Sequence, residues 1–282
     1  MKEKIKKLAE ETGLFDLYKV FRLKTDEMFS THIECNIGDL MLRRDVPYEN
    51  QILVASRLLD IEKYYLNEDK SFPFQNAIAR ARTGDENIVT GESFRSLLES
   101  VNSEGFRDDA LFTCDNEFRL ADGTHRLGVC LYLGISKINV KVLRRVIPYK
   151  YGGDWYFNIG LASKTLREIY GGFDEIQNKL IEGGNTFCCF ASTPEVETIN
   201  IVEDMKMMCN VLKINQVEGG GIIIQFSMMQ PKYIISNNCL VSERAQEIER
   251  ILKKRACGRA TIVVSRNCTE GKQLYDKYIR HI

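Results

Sequence analysis

The stretch RLADGTHRLGVCLYLG, residues 119–134, constrains the fold more than any other part of the chain. It places an Asp-Gly turn, a histidine and an arginine directly before an apolar run that ends at Gly134, a pattern typical of a helix with a glycine stop. Two short apolar runs joined at Asp115 and Asn116 precede it and predict a β-hairpin. Alternating apolar residues in 136–145 follow it and predict a strand. We therefore expect a hairpin, a tight turn, a helix and a strand in that order.

The residues at this turn have the chemistry of an anion site. Thr124 is expected to cap the helix, which puts His125 and Arg126 in its first turn. The backbone N–H groups of a first helical turn are unpaired and lie at the positive end of the helix dipole, so phosphate is a natural ligand. Arg126 would add a bidentate contact, and Gly123 would let the backbone come close to the ligand.

Asp122 does not fit simple anion binding, because a carboxylate repels phosphate. Three roles stay open for it: binding a divalent metal, orienting His125, or accepting a proton from a substrate hydroxyl. The ordinary alternative also stays open, since Asp-Gly turns before a capping Thr are common and an Arg in a first turn is often merely solvated.

The run Asp-Gly-Thr-His-Arg, residues 122–126, resembles the phosphate-binding motifs G-x-x-R and D-G-x-H-R of the ParB/sulfiredoxin-like fold family. The flanking pattern is similar too, with a helix over 92–103, a hairpin over 110–121, the motif helix and a strand. The resemblance covers about residues 31–145. It implies a nucleotide-binding domain.

Within that family, the motif is most similar to that of the free-serine kinases, which phosphorylate the hydroxyl of a small metabolite. Sulfiredoxins carry a catalytic Cys where this chain has Thr124, which disfavours sulfinic-acid repair. ParB segregation proteins carry a Glu-Arg-Arg form and a following helix-turn-helix domain, and neither pattern is found here. The resemblance implies that Asp122, His125 and Arg126 hold the phosphates, a metal and the hydroxyl.

Those kinases use an upstream Glu as general base after the first strand. The segment RRDVPYENQ, residues 43–51, occupies that place, so Glu49 is the expected base and Asp45 the rival. An ordinary surface loop is the alternative for either residue.

The resemblance thus implies transfer of phosphate from ATP or CTP, with Mg²⁺, to a hydroxyl of a small metabolite such as serine, a sugar or a polyol. Phosphoryl transfer requires positioning and charge neutralisation more than covalent chemistry. The expected groups are the catalytic residues Glu49, Asp122 and His125, the nucleotide-binding residues Gly123, Thr124, His125 and Arg126, and Asp122 as metal ligand. The alternative is a nucleotide-binding regulatory or partition-like module without kinase activity.

Composition narrows the remaining classes. Lys plus Arg equals Asp plus Glu at 39 each, so no net field favours nucleic acid, and a DNA-binding protein is disfavoured. We find neither a signal-peptide core nor an apolar run long enough to span a membrane. The nine cysteines lack a C-x-x-C spacing and predict mostly buried, reduced thiols. We expect a cytoplasmic protein, and a homodimer is possible.

The domain organisation follows from a break in the pattern at Pro148 and Gly152–Gly153. We predict a mixed α/β (α+β) chain with a helical extension over 1–30, a ParB/sulfiredoxin-like domain over 31–148 and a second α/β domain over 149–282 of open role. Trp155 and Tyr156 beside this boundary would either line a pocket or pack the two halves together. Further helices are expected over 52–66 (capped by Asn50), 72–83 (closed by Gly84), 195–212, 242–256 (capped by Ser242) and 270–282, and Gly105 is expected to end the helix over 92–103. Further strands are expected over 31–37 (running into a turn), 185–192, 221–229 and 260–265.

Overall fold

A computed structural model describes residues 30–41, 49–66, 71–107, 111–146, 153–192 and 195–279. The predicted helical extension over 1–30 and the rival base Asp45 lie outside the described residues, except for Ser30. The described chain combines helices with sheets, so the prediction of a mixed α/β fold is confirmed.

The first sheet is built from strands on both sides of the motif. Its strands are β1 (Thr31–Asn36), β2 (Leu111–Cys114), β3 (Leu120–Asp122) and β4 (Lys137–Val142), in the order β1-β4-β2-β3. The β2–β4 pair is parallel, and the other two pairs are antiparallel. Ile138, Val140 and Val142 are buried while Lys137 and Asn139 are exposed, which is the alternation expected of a sheet with one face on the core.

The helices of this half are α1 (Ile37–Met41), α2 (Glu49–Leu66), α3 (Pro73–Thr83), α4 (Glu92–Glu104) and α5 (Thr124–Leu133). Phe94 and Leu98 of α4 are buried in a cluster with Ile61 of α2 and Val129 of α5. The predicted glycine stops are confirmed, because Gly84, Gly105 and Gly134 follow α3, α4 and α5 with positive φ. Helix α2 begins at Glu49, so Asn50 lies inside the helix rather than before it, and the predicted cap is wrong.

The second half packs helices on an antiparallel sheet of order β10-β5-β7-β6. Its strands are β5 (Phe187–Ser192), β6 (Asn210–Gln216), β7 (Ile222–Ser227) and β10 (Thr261–Val264), and β8 (Tyr233–Ser236) and β9 (Cys239–Ser242) form a separate hairpin. The helices are α6 (Gly153–Asn158), α7 (Ser163–Glu182), α8 (Glu195–Met208), α9 (Glu243–Arg255) and α10 (Cys268–Ile279). Ser242 caps α9 as predicted, since its hydroxyl accepts a hydrogen bond from the Ala245 N–H.

Sequence reasoning missed some elements. It left α7 and the β8–β9 hairpin unassigned, took α1 as a turn, and extended α8 to residue 212 although β6 begins at Asn210. Six of the nine cysteines are buried and all nine are free thiols, as predicted. No described helix combines the length and apolar character that crossing a membrane requires.

A buried carboxylate joins the two halves of the chain. Asp39 in α1 is 1% exposed, and its Oδ1 accepts hydrogen bonds from the Tyr233 hydroxyl at 2.6 Å and the Cys268 N–H at 3.0 Å. Burial raises the pKa of Asp39, and these hydrogen bonds oppose that rise. Buried apolar side chains from both halves form one continuous core. The division into domains at residue 148 stays a prediction.

Tyr233→Phe tests this junction. The variant keeps the ring contacts with Phe118 and Phe187 but removes the hydroxyl donor, so we expect a loss of about 1–3 kcal/mol in the free energy of unfolding. Tyr65→Phe is the matched control, because the Tyr65 hydroxyl bonds Asn102 at an exposed site, and its cost should stay below about 1 kcal/mol. Urea denaturation measures both. Equal losses would contradict the assigned role of Asp39.

Candidate functional site

The hairpin before the motif is fixed by a single carboxylate. Asp115 is fully buried in the turn between β2 and β3, and its Oδ1 accepts hydrogen bonds from the N–H groups of Glu117 and Arg119. Its Oδ2 accepts from the Arg119 Nε at 2.9 Å. The strands register Thr113 opposite Asp122. The turn therefore sets where β3 ends and where the motif helix begins.

Helix α5 begins at Thr124, and its N-terminus lacks a side-chain cap. Gly123 occupies the capping position with φ 107°, so the prediction that Thr124 caps the helix is wrong. His125 and Arg126 lie in the first turn, as predicted. The first intrahelical bond runs from the Leu127 N–H to the Gly123 carbonyl at 2.8 Å, so the preceding N–H groups have no acceptor within the helix.

Arg126 is held beside this helix end by two contacts. Its Nη2 lies 3.1 Å from the Asp122 Oδ2, and its guanidinium lies 5.4 Å from the centre of the Phe112 ring. Asp122 is largely exposed, whereas Arg126 is partly buried. An exposed ion pair contributes little stability, so an incoming anion can compete for Arg126 at small cost.

His125 is neutral at pH 7. Its pKa is lowered to about 4, mainly by burial and then by the charge of Arg57, while Asp122 opposes the shift. Its Nε2 lies 2.8 Å from the Gln75 Oε1, and its ring stacks on Phe94 with centroids 4.7 Å apart. His125 therefore contributes hydrogen bonds to the site rather than a positive charge.

The carboxylate of Asp60, in α2, positions Gln75. It caps α3 from outside, with Oδ1 and Oδ2 accepting from the N–H groups of Phe74 and Gln75 at 3.0 Å each. Burial raises the pKa of Asp60 to about 6 against these hydrogen bonds and the nearby charge of Arg57. Because Gln75 belongs to the first turn of α3, this cap fixes the partner of His125.

Three helix N-termini therefore meet at one place. Gln75, Phe94 and His125 each lie in the first turn of their helix, α3, α4 and α5. Asp60 caps α3, but α4 follows Gly91, at φ 110°, without a side-chain cap, as α5 follows Gly123. Each uncapped terminus carries roughly half of a positive elementary charge. The convergence favours an anion.

A cavity of about 180 Å³ opens at this meeting point. Arg57 and Arg82 line it together with Gln75 and His125. Burial lowers the pKa of Arg57 to about 10, which still leaves it charged at pH 7. The remaining lining residues are Leu53, Ile78, Ala79, Thr90, Gly91 and Ser93.

The sequence alone does not indicate Arg57, Asp60, Gln75 or Arg82 as site residues. These residues form no motif, and Gln75 and His125 are 50 positions apart. The one available signal was the pair Arg57 and Asp60 within a run of apolar residues that is otherwise typical of a buried helix face.

The donor set fits an anion better than a bare metal ion. The described residues contain no group of three or more His, Cys, Asp or Glu that would hold a metal. Mg²⁺ is often held by one or two carboxylates together with substrate phosphates, and Asp122 offers one carboxylate at this helix end. A Cβ on Gly123 would lie 2.7 Å from the Phe112 Cδ1, so packing against Phe112 requires a glycine there.

Glu49 is the first residue of α2. Leu53 and Arg57 follow it by about one and two helical turns, and both line the cavity. The expected base therefore starts the helix that forms one wall of the cavity.

No family model matches the chain, and no curated protein does. Two solved structures show a faint similarity. The C2221 form of a Pnob8-like ParB-N domain is 12% identical, with 89% of this chain and 70% of that one covered at a TM-score of 0.21. A pNOB8-like ParB N-domain is 13% identical, with 89% and 65% covered at the same TM-score. Such a TM-score does not establish a shared fold.

Gly123→Ala tests the backbone requirement at the start of α5. A Cβ at φ 107° is strained and meets the Phe112 ring, so we expect a loss of about 2–4 kcal/mol in the free energy of unfolding. Gly134→Ala, at the other end of the helix, is the matched control. It has φ 71° but no atom within 4 Å of the added Cβ, and should cost about 1 kcal/mol. Similar losses in urea denaturation would show that contact with Phe112 is unimportant.

Proposed function

We propose that the protein is a nucleotide-dependent phosphotransferase that transfers a phosphate from ATP or CTP to the hydroxyl of a small metabolite. One observation supports this most: His125 belongs both to the uncapped first turn of α5 and to the wall of a small cavity. A phosphate site and a small-molecule site thus share one residue. The resemblance of the D-G-x-H-R motif to that of the free-serine kinases supports the same function.

The nucleotide phosphates would bind at the N-terminus of α5. The N–H groups of Thr124, His125 and Arg126 and the guanidinium of Arg126 supply donors. Asp122 would contribute one carboxylate oxygen to a Mg²⁺ that arrives with the nucleotide. Mg²⁺ would neutralise charge on the phosphates. Arg126 would leave its ion pair with Asp122 and bind a phosphate oxygen instead.

The acceptor would bind on the cavity side of His125. Its hydroxyl oxygen forms a bond to the terminal phosphorus, the bond from that phosphorus to the leaving nucleoside diphosphate breaks, and the hydroxyl proton passes to the carboxylate of Glu49. The neutral His125 would orient the acceptor by hydrogen bonding. The charge that develops on the phosphoryl group would be stabilised by Arg126 and the helix terminus.

Arg126→Ala should weaken ATP or CTP binding at least about tenfold, because a charge-assisted phosphate contact is lost. Isothermal titration calorimetry with Mg²⁺ present measures it. Arg107→Ala is the matched control, since Arg107 pairs with Glu104 at 2.9 Å on an exposed surface away from the site. Unchanged affinity in Arg126→Ala would overturn the assignment of the nucleotide site.

Glu49→Gln should abolish transfer while preserving nucleotide affinity, because the amide keeps the shape of the side chain but cannot accept the proton. Labelled ATP or CTP and a panel of hydroxyl metabolites give the readout. Glu62→Gln, on the same helix and paired with Lys179, is the control and should keep full turnover. Unchanged turnover in Glu49→Gln would dismiss it as the base. Nucleotide binding by the wild type with no transfer to any acceptor would favour the regulatory module instead.

A further inference from the structure

The cavity beside His125 has an unbalanced positive charge. Arg57 and Arg82 both line it, and none of the described lining residues is Asp or Glu. The nearest buried carboxylate, Asp60, already accepts two backbone hydrogen bonds at the N-terminus of α3. The pKa of Arg57 is lowered mainly by burial; the charge of Asp60 opposes this shift, and repulsion from the charge of Arg82 adds to it. A bound anion would relieve this repulsion.

An unpaired buried donor points to the same ligand chemistry. Gln75 is only 4% exposed and lines the cavity, and its Nε2 makes no hydrogen bond of normal geometry among the described residues. The amide lies close enough to the Asp60 carboxylate to lower the pKa of that group, and its Oε1 is engaged by His125. A buried donor without a well-placed acceptor carries a free-energy cost, so a ligand with acceptor oxygens is favoured.

The start of α4 adds further donors at the cavity wall. Gly91 precedes the helix without any side-chain cap, and Gly91 and Ser93 line the cavity, whereas the N–H and hydroxyl of the neighbouring Thr90 already donate to the Asn76 Oδ1. The first intrahelical bond joins the Arg95 N–H to the Gly91 carbonyl, so the N–H groups before it have no acceptor in the helix. The two arginines, the Gln75 amide and this terminus form a set of donors for one oxyanion.

The volume of the cavity suits a small ligand rather than a whole nucleotide. An engineered cavity of about 150 Å³ is filled by a benzene molecule, which has six heavy atoms. The cavity of about 180 Å³ therefore accommodates a carboxylate or a phosphate on a short carbon chain, whereas most of a nucleoside triphosphate would lie outside it.

We infer that this cavity binds a carboxylate or phosphate group of the acceptor, so that the phosphorylated metabolite is itself a small anionic hydroxyl compound. The assignment of the ligand as the acceptor rests on the proposed function. The oxyanion contacts Arg57, Arg82 and the Gln75 Nε2 and holds the acceptor hydroxyl towards His125. A neutral polyol of the same size leaves these donors unpaired and binds poorly.

Trp155 provides a direct readout that needs no nucleotide. It is the only tryptophan of the chain, and the Arg82 guanidinium lies 5.9 Å from its ring centre. The fluorescence of the wild-type protein is titrated with glycerol, glycerate and glycerol 3-phosphate, which share the hydroxyl and differ in the anionic group. We expect saturable changes with glycerate or glycerol 3-phosphate and none with glycerol. The anion that binds more tightly shows whether the cavity prefers a carboxylate or a phosphate group.

Arg82→Gln should weaken the anion titration at least about tenfold, because a charged donor is removed from an exposed residue that the core does not require. Arg80→Gln, on the same helix but outside the cavity, should leave the midpoint unchanged. Since Arg82 also contacts Trp155, calorimetric titrations of both variants supply a second measurement that does not depend on fluorescence.

The outcomes distinguish this inference from the proposed function. Equal binding of glycerol and the two anions, or an unchanged midpoint in Arg82→Gln, overturns the anion cavity. If the anions bind as expected but no acceptor is phosphorylated, the cavity stands and the phosphotransferase is wrong. If glycerol is phosphorylated as fast as glycerate and glycerol 3-phosphate, the phosphotransferase stands and the anion cavity is wrong.

Discussion

The site depends on the meeting of three helix N-termini, and on the fact that only one of them has its own carboxylate. Asp60 reaches from α2 to cap α3, which fixes Gln75 and, through it, His125. Burying this carboxylate carries a desolvation cost, which the raised pKa of Asp60 reflects. The two backbone hydrogen bonds and the dipole of α3 offset that cost. The position of His125 is therefore maintained by a charge that lies two contacts away from it.

The positive charge at the meeting point also determines what His125 can do. Burial together with Arg57 keeps its imidazole neutral at pH 7, so the two arginines and the two uncapped termini supply the positive potential. A protonated His125 would add one more positive charge to a site where positive charge already exceeds negative charge. The neutral ring can stack on Phe94 and exchange hydrogen bonds with Gln75, which makes it an orienting group at the boundary between the two proposed subsites.

The sequence predicted what local backbone chemistry determines. The glycines after α3, α4 and α5 and the Asp115 turn are local signals, and these helix ends and the hairpin were found. Thr124 was misassigned by one position, because Gly123 takes the capping position with a backbone conformation that threonine rarely adopts.

Elements that depend on tertiary contacts were missed. Helix α7 contains Gly171 and Gly172, a pair that usually argues against a helix. Gly172 is required by packing, since a Cβ there would lie 3.0 Å from Leu59 of α2. The cavity could not be predicted from the sequence for the same reason. Arg57, Gln75 and His125 belong to three different helices, and no local pattern indicates that they share a wall.

The difference between α3 and its two neighbours is the strongest physical reason to expect a ligand. If all three N-termini had internal carboxylate caps, the cluster would be electrostatically complete and the cavity between them would be a packing defect. Only Asp60 performs that role, while Asp122 is mostly exposed and is paired with Arg126. The starts of α4 and α5, each at a glycine with positive φ, leave backbone donors open beside the stacked rings of Phe94 and His125. Two anionic groups, one at each helix start, would complete the charge balance that Asp60 begins, and the proposed phosphate donor and anionic acceptor are two such groups.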